Sequence, residues 1–427
     1  MESTALFRLQ KLRRLVFAGL SLWFAVLVFA TNSLMVGMQS RNTRELPFGV
    51  FSDRNGEVYA QDFSYNMIYF KGIRDKFVAH PYRIADQEKL VRQELPESTS
   101  GLTHAYSPVA YVLALPLLCV SGFHAYLLYT VLSAIGILLL FYFDLLPRTE
   151  HPLQLAGLTA CAVSIWVTGA FAVGQSTLIT TTLMGALWYL LRQRTISPSW
   201  RTDVLLALVF WALCLKPSVA IMPLMLLPGA RAWRSCAIGA GLLLVTWTLV
   251  ASHYGGWWTG LGDYLHLLNH YHNADFTAFM QRGTESVPEQ QWSTFLFSLE
   301  RTLLLIFSLA LLVLGWTRPL TGSEQFQGMV WIFLLFSPYL LPSENWILCL
   351  LVVEGSFFQS RNLIASCGKL LFLLGIFDLR AGLTFSEQVD FPLKCVLFVW
   401  ILSEWLQAKL TPELDITERL QPSSPRR

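Results

Sequence analysis

Stretches almost free of charge recur along the whole chain, each long enough, at roughly 17 to 20 residues, to cross about 30 Å of hydrocarbon. The first, LVFAGLSLWFAVLVFATNSLMV at residues 15–36, follows Arg8, Lys11, Arg13 and Arg14 in the manner of a secretion signal. It is too long for a signal core and lacks a small-x-small cleavage site, so it reads as a retained span with its N-terminus on the cytoplasmic side. Further spans are expected near residues 105–121, 124–143, 153–172, 175–191, 204–228, 236–251, 300–317, 327–341, 345–359, 362–379 and 391–407, about twelve in all. Only 14% of the residues are charged, against about 25% in soluble domains. The expected fold class is an all-α polytopic membrane protein.

Alternation from a cytoplasmic N-terminus places Arg231, Arg234, Arg318, Arg361 and Lys409 inside, as the positive-inside rule requires. It also places Arg192, Arg194 and Arg201 outside, against that rule. A re-entrant or broken segment is therefore expected between 153 and 192, with AVGQST at 172–177 as the break, because Gly174 and Gln175 weaken helix there. Residues 37–104 and 252–299 form two long external loops within one transmembrane domain, 1–408, and a polar cytoplasmic tail follows at 409–427. In the first loop Asn55-Gly56 suggests a hairpin turn. After it Tyr65, Tyr69, Ile73 and Phe77 recur every four residues beside Phe70, with Lys71, Arg74, Asp75 and Lys76 opposite. That pattern predicts an amphipathic helix lying on the outer leaflet.

A net charge of +3 with no basic tract argues against nucleic acid as a partner. The seven cysteines are scattered without metal-ligand spacing, and His266, His270 and His272 lack an accompanying HExxH motif. The long loops hold no DxD-like pair, so neither a metal nor another cofactor is expected. Asp62 stands just before the expected helix, where an acidic N-cap is the default role. Lys216 lies near the middle of LLALVFWALCLKPSVAIMPLMLL, where a charge costs about 2.5 to 3.5 kcal/mol. Such a residue either pairs and snorkels or marks a functional path. His104 and Tyr106 fall at headgroup level before Ser107-Pro108, which begins a helix. Glu344 and Asn345 open a later span behind Ser343, again a natural cap.

The order DFSYNMIY (62–69), PY (81–82), YSPVAYVLALPL (106–117), GQSTLITTTLMGALWYL (174–190) and LKPSVAIMPLMLL (215–227) resembles the GT87 family of membrane glycosyltransferases, of the GT-C fold. The likeness covers residues 10 to 360. It implies an inverting enzyme that moves a hexose, mannose in the best-known relatives, from a polyprenyl-phosphate carrier to a lipid-linked or glycan acceptor at the external face. By resemblance Asp62 is the general base and Lys216 offsets the donor phosphate, with Arg74, Arg83 and His104 as alternative phosphate partners. Gln175 and Tyr106 match motif positions for which the residues themselves supply no role. Two departures stand out. Tyr106-Ser107-Pro108 lacks the second proline of the family's element, and Ser337-Pro338 leads to Glu344, Asn345 and Trp346 without the family's histidine. The rival expectation is a lipid or solute transporter with Lys216 in the substrate path. A third, a scaffold without activity, gains if Asp62 only caps its helix.

Overall fold

The computed structural model describes residues 2–39, 44–45, 51–52, 60–76, 79–94, 106–216, 219, 227, 230–268, 347 and 349–353. Within these the chain is helical apart from one antiparallel pair, β1 (Arg44–Glu45) on β2 (Phe51–Ser52). Phe51–Ser52 thus pairs upstream, and the Asn55-Gly56 turn lies outside the described residues. So do His104, Glu344, Asn345, His270, His272 and every span expected from residue 300 to 341 and beyond 360.

The described residues form α1 (Glu2–Gln39), α2 (Gln61–Arg74), α3 (Ile84–Glu94), α4 (Pro108–Leu118), α5 (Gly122–Leu140), α6 (Pro152–Ala162), α7 (Ile165–Val173), α8 (Thr177–Ile196), α9 (Trp200–Leu213), α10 (Trp233–Val250) and a short α11 (Cys349–Val352). A π turn, Phe141–Leu145, extends α5, and a 3₁₀ turn, Ala251–Tyr254, extends α10. Among the described residues, four segments are long and apolar enough to cross a membrane: Phe7–Leu34, Gly122–Leu145, Pro152–Ala172 and Trp233–Tyr254. Trp200 and Trp233 are exposed at one end of the bundle and Trp258 at the other, the placement of interfacial aromatic belts.

One end is basic. Arg13 of α1 donates to the Thr149 hydroxyl (3.1 Å) and carbonyl after α5. Arg148 (2.9 Å) and Arg192 both pair with Asp144. Arg194 binds Asp203 (2.7 Å) and the carbonyls of Ala230 and Arg231 (3.1 and 3.2 Å), and Ser235 adds a hydroxyl to Asp203 at 3.2 Å. These contacts gather the starts of α1, α6, α9 and α10 with the ends of α5 and α8. At the other end Asn32 donates to Thr130 of α5 at 3.0 Å, Tyr129 donates to the Gln175 carbonyl, and Ser107 donates to the Cys214 carbonyl at 2.5 Å. Arg13 and Asn32 are separated by about 28 Å of helix, one hydrocarbon thickness.

This arrangement corrects the expected topology. The span expected at 105–121 is shorter than expected: α4 is about 16 Å long, against about 30 Å of hydrocarbon, begins beside Cys214 and ends where the Leu118 carbonyl accepts from Arg74 at 2.7 Å. With α4 removed from the alternation, Arg192 and Arg194, together with Arg201 in the first turn of α9, join Arg13 at the basic end. The break expected at 172–177 is present, since α7 stops at Val173 and α8 starts at Thr177. A second break, Val163-Ser164, divides α6 from α7. The span expected at 204–228 is also interrupted, because α9 ends at Leu213 and Lys216 lies past its end. Pro217 disfavours helical geometry at the residue before it, and its missing N–H removes a helix bond.

The expected interfacial helix is corrected too. Phe63, Tyr65, Met67, Ile68, Tyr69, Phe70 and Ile73 are all buried, and Lys71 with them. α2 packs on α3, α4, α5, α7 and the 3₁₀ turn. Its large residues surround the whole circumference instead of forming one stripe, and a helix apolar all round belongs in a core.

Candidate functional site

Asp62 is not the cap of α2. Ala60 holds that position with a left-handed backbone, φ 47°, and supplies no side-chain hydrogen bond, so Asp62 falls inside the first turn. Its side chain hydrogen-bonds Gln175, and Lys216 lies close enough for its charge to act on the carboxylate. Burial raises the Asp62 pKa above the ordinary carboxylate range, and the Gln175 bond and the Lys216 charge take back part of that rise.

Gln175 is delivered by the corner between α7 and α8. Gly174 there has φ 71°, and a Cβ on it would overlap the Phe63 side chain, so the corner and the start of α2 approach as only glycine allows. Phe63 in turn sits between Tyr126 and Tyr129, each ring 5.3 Å away. The Tyr129 hydroxyl holds the Gln175 carbonyl.

Lys216 is positioned by Ser107. The Ser107 N–H donates to the Leu215 carbonyl at 3.1 Å, its hydroxyl donates to the Cys214 carbonyl, and the same oxygen accepts from the Val109 N–H at 3.2 Å. One serine therefore satisfies orphan groups at the start of α4 and at the end of α9. Tyr106 shares a hydrogen bond with Ser176 (2.9 Å), bonds Asn66 through its side chain, and accepts from the Tyr82 hydroxyl at its carbonyl (3.0 Å). The starts of α2, α4 and α8 thus open on the group formed by Asp62, Gln175, Lys216 and Tyr106. Helix starts carry partial positive charge, so together with Lys216 they favour an anion beside the carboxylate.

Four residues singled out in the sequence converge here, and two do not. Arg74, at the far end of α2 and about 18 Å along the helix from Asp62, pairs with Asp75 at 2.7 Å. Arg83 pairs with Asp263 at 3.1 Å, in a latch that also brings His80 within 3.5 Å of Asp263. Sequence reasoning passed over Asn66, Ser176 and Tyr129. Asn66 carried a signal, since it follows Asp62 by four residues and shares its helix face. Tyr129 carried none, because its role depends on how α5 meets the corner. Among the described residues no three His, Cys, Asp or Glu side chains gather as a metal site.

Fold and site together describe a helical protein with apolar helices of membrane-crossing length, in which the Asp62, Gln175, Lys216 and Tyr106 group lies at the end opposite a basic belt. Comparison with protein-family models, with curated proteins and with solved structures finds no match to this chain.

Proposed function

We propose that the chain is an inverting, polyprenyl-phosphate-sugar-dependent hexosyltransferase, as its resemblance to the GT87 family implies, working at the membrane face opposite the basic belt. The observation that carries this reading is the convergence of Asp62, Gln175, Lys216 and Tyr106 from four separate segments. The positive-inside rule puts the belt in the cytoplasm and the site outside.

In this reaction an acceptor hydroxyl attacks the anomeric carbon while the bond from that carbon to the phosphate oxygen breaks. The polyprenyl phosphate leaves with the bonding electrons, and the hydroxyl proton passes to Asp62. A phosphate leaving group needs little acid assistance, so one raised carboxylate meets the main demand. Gln175 is a positioning residue that holds the carboxylate. Lys216 and the starts of α4 and α8 balance charge developing on the phosphate. The transporter reading gains less support, because α9 carries the chain about 20 Å from Trp200 before Lys216 is reached, which sets the lysine near a surface rather than half-way along a path.

The test uses membranes bearing the full chain and radiolabelled polyprenyl-phosphate mannose. Asp62→Asn should abolish transfer at unchanged expression. Normal turnover in that variant would sink the assignment, and a panel of polyprenyl-phosphate hexoses would identify the sugar.

A further inference from the structure

The apolar surface of α10 does not stop where the span ends. Leu244, Val245 and Leu249 are exposed on it, Leu249 at 72%, and on a helix of membrane-crossing length such residues face lipid chains. After Tyr254 the chain turns at Gly255 and Gly256, both with positive φ (76° and 100°), and residues 257–268 form a further helix. This helix doubles back. The Tyr264 ring lies 6.2 Å from the Trp247 ring, whereas a straight helix would set those two residues about 25 Å apart. The Trp247 indole donates to the Trp257 carbonyl at 3.3 Å, and a Cβ on buried Gly260 would press on Tyr254, so the two helices meet closely at the corner.

At about 100° per residue the helix sorts its side chains by face. Gly260, Tyr264 and Leu267 are buried against the protein. Asp263 is held by Arg83 at 3.1 Å, and the exposed Thr259 and His266 continue that polar side. Trp258, 78% exposed, and Leu265, 57% exposed, share the next sector, two turns apart. The Trp258 ring lies 4.7 Å from the Trp257 ring, and the Trp257 indole donates to the hydroxyl of Thr248, the neighbour of Leu249, at 3.4 Å. The strip of Trp258 and Leu265 is thus continuous with the lipid-facing side of α10, at the end of the span where headgroups meet chains. A tryptophan suits that depth, with its ring among chains and its N–H toward headgroups.

We propose that residues 257–268 form a membrane-surface helix, with Trp258 and Leu265 seated among the lipid chains of the leaflet on the Asp62 side and Thr259 and His266 facing water. What covers the strip is the bilayer itself, engaged through its acyl chains and therefore without headgroup preference. The seat bears on the site, because Tyr264 lies 4.6 Å from Tyr82, whose hydroxyl donates to the Tyr106 carbonyl. The inference rests on α10 crossing the bilayer and not on the transferase reading.

The test is the full chain, its native cysteines replaced, in phosphatidylcholine vesicles, with a nitroxide placed through Trp258→Cys, Thr259→Cys, Leu265→Cys or His266→Cys, one at a time. Electron paramagnetic resonance power saturation compares each label's collisions with oxygen, which concentrates among lipid chains, and with a water-soluble nickel complex. The oxygen-to-nickel ratio should be several-fold higher at positions 258 and 265 than at 259 and 266, and unchanged in phosphatidylglycerol. In the unaltered chain, phosphatidylcholine bearing a diazirine on its acyl chain should label the peptide that contains Trp258. Equal ratios at all four positions, the pattern of a helix in water, overturn the proposal. Protection of 258 and 265 from both reagents, the sign of a protein partner or a second copy, overturns it too, as does a pattern that needs phosphatidylglycerol. Should the cysteine variants fail to fold, absence of the acyl-chain adduct from the unaltered chain overturns it equally. Loss of transfer in Asp62→Asn bears on none of these outcomes.

Discussion

At the scale of single residues, Asp62 shows how little a residue type says without its surroundings. An aspartate ahead of a helix is a cap by default, yet Ala60 takes the cap position and leaves the carboxylate to Gln175 and Lys216. The consequence is a pH dependence with a defined sign. In the proposed reaction transfer needs the ionised carboxylate, and burial raises the pKa, so the acid limb of the rate should lie above the ordinary value of about 3.9. Below that raised value the rate should fall about tenfold per pH unit. Lys216→Met removes a charge that lowers the pKa and should move the limb to still higher pH. A pH–rate profile of kcat/KM for both proteins checks this, and a limb that stays in place would detach Lys216 from the carboxylate. Lys216 was legible as a charge in an apolar run and Gln175 as a polar residue at a helix break, both local signals, whereas Asp62 and Tyr106 stood out as site residues only through the GT87 resemblance. Their meeting was not legible, since 154 residues of chain separate Asp62 from Lys216.

At the scale of elements, the lesson lies in α4 and α9. YSPVAYVLALPLL has the hydropathy of a span, but Pro116 sits inside α4 and the helix ends two residues later. LLALVFWALCLKPSVAIMPLMLL reads as one continuous run, yet α9 stops at Leu213 ahead of Lys216-Pro217. Ser107 joins these two ends, which makes it the most exposed mechanical element of the site despite a bland residue type. Ser107→Ala should lower stability by about 1 to 2 kcal/mol through loss of its capping bonds. It should also reduce transfer more than Ser121→Ala, because Ser121 precedes α5 without making a side-chain cap bond. Thermal unfolding in detergent and the mannose-transfer assay measure the two effects side by side.

At the scale of the whole molecule, two opposed ends organise everything else. The Asp144 and Asp203 clusters tie α5, α8, α9 and α10 into the basic belt, while stacked Tyr82 and Tyr254 (4.6 Å, 7°) and the Asp263 latch tie the segments after α2 and α10 together at the site end. If α4, at about 16 Å, is too short to cross, Cys119, exposed just past it, should share the site's side of the membrane. In a chain whose other cysteines are replaced, an impermeant maleimide should label Cys119 from the side opposite to a cysteine introduced by Arg201→Cys. Labelling of both from one side would restore the crossing and overturn the two-ended arrangement. The sequence by itself determined that this chain is built of apolar helices, where the corner at Gly174 falls, and which few polar residues merit attention. Those properties follow from hydropathy and backbone preference, which act over a few residues. Only the tertiary structure decided which apolar runs cross, that α2 is buried instead of resting on a leaflet, and that one carboxylate, one amide and one ammonium share a site. Those outcomes depend on packing and hydrogen bonds between residues far apart in the chain, and no local pattern encodes them.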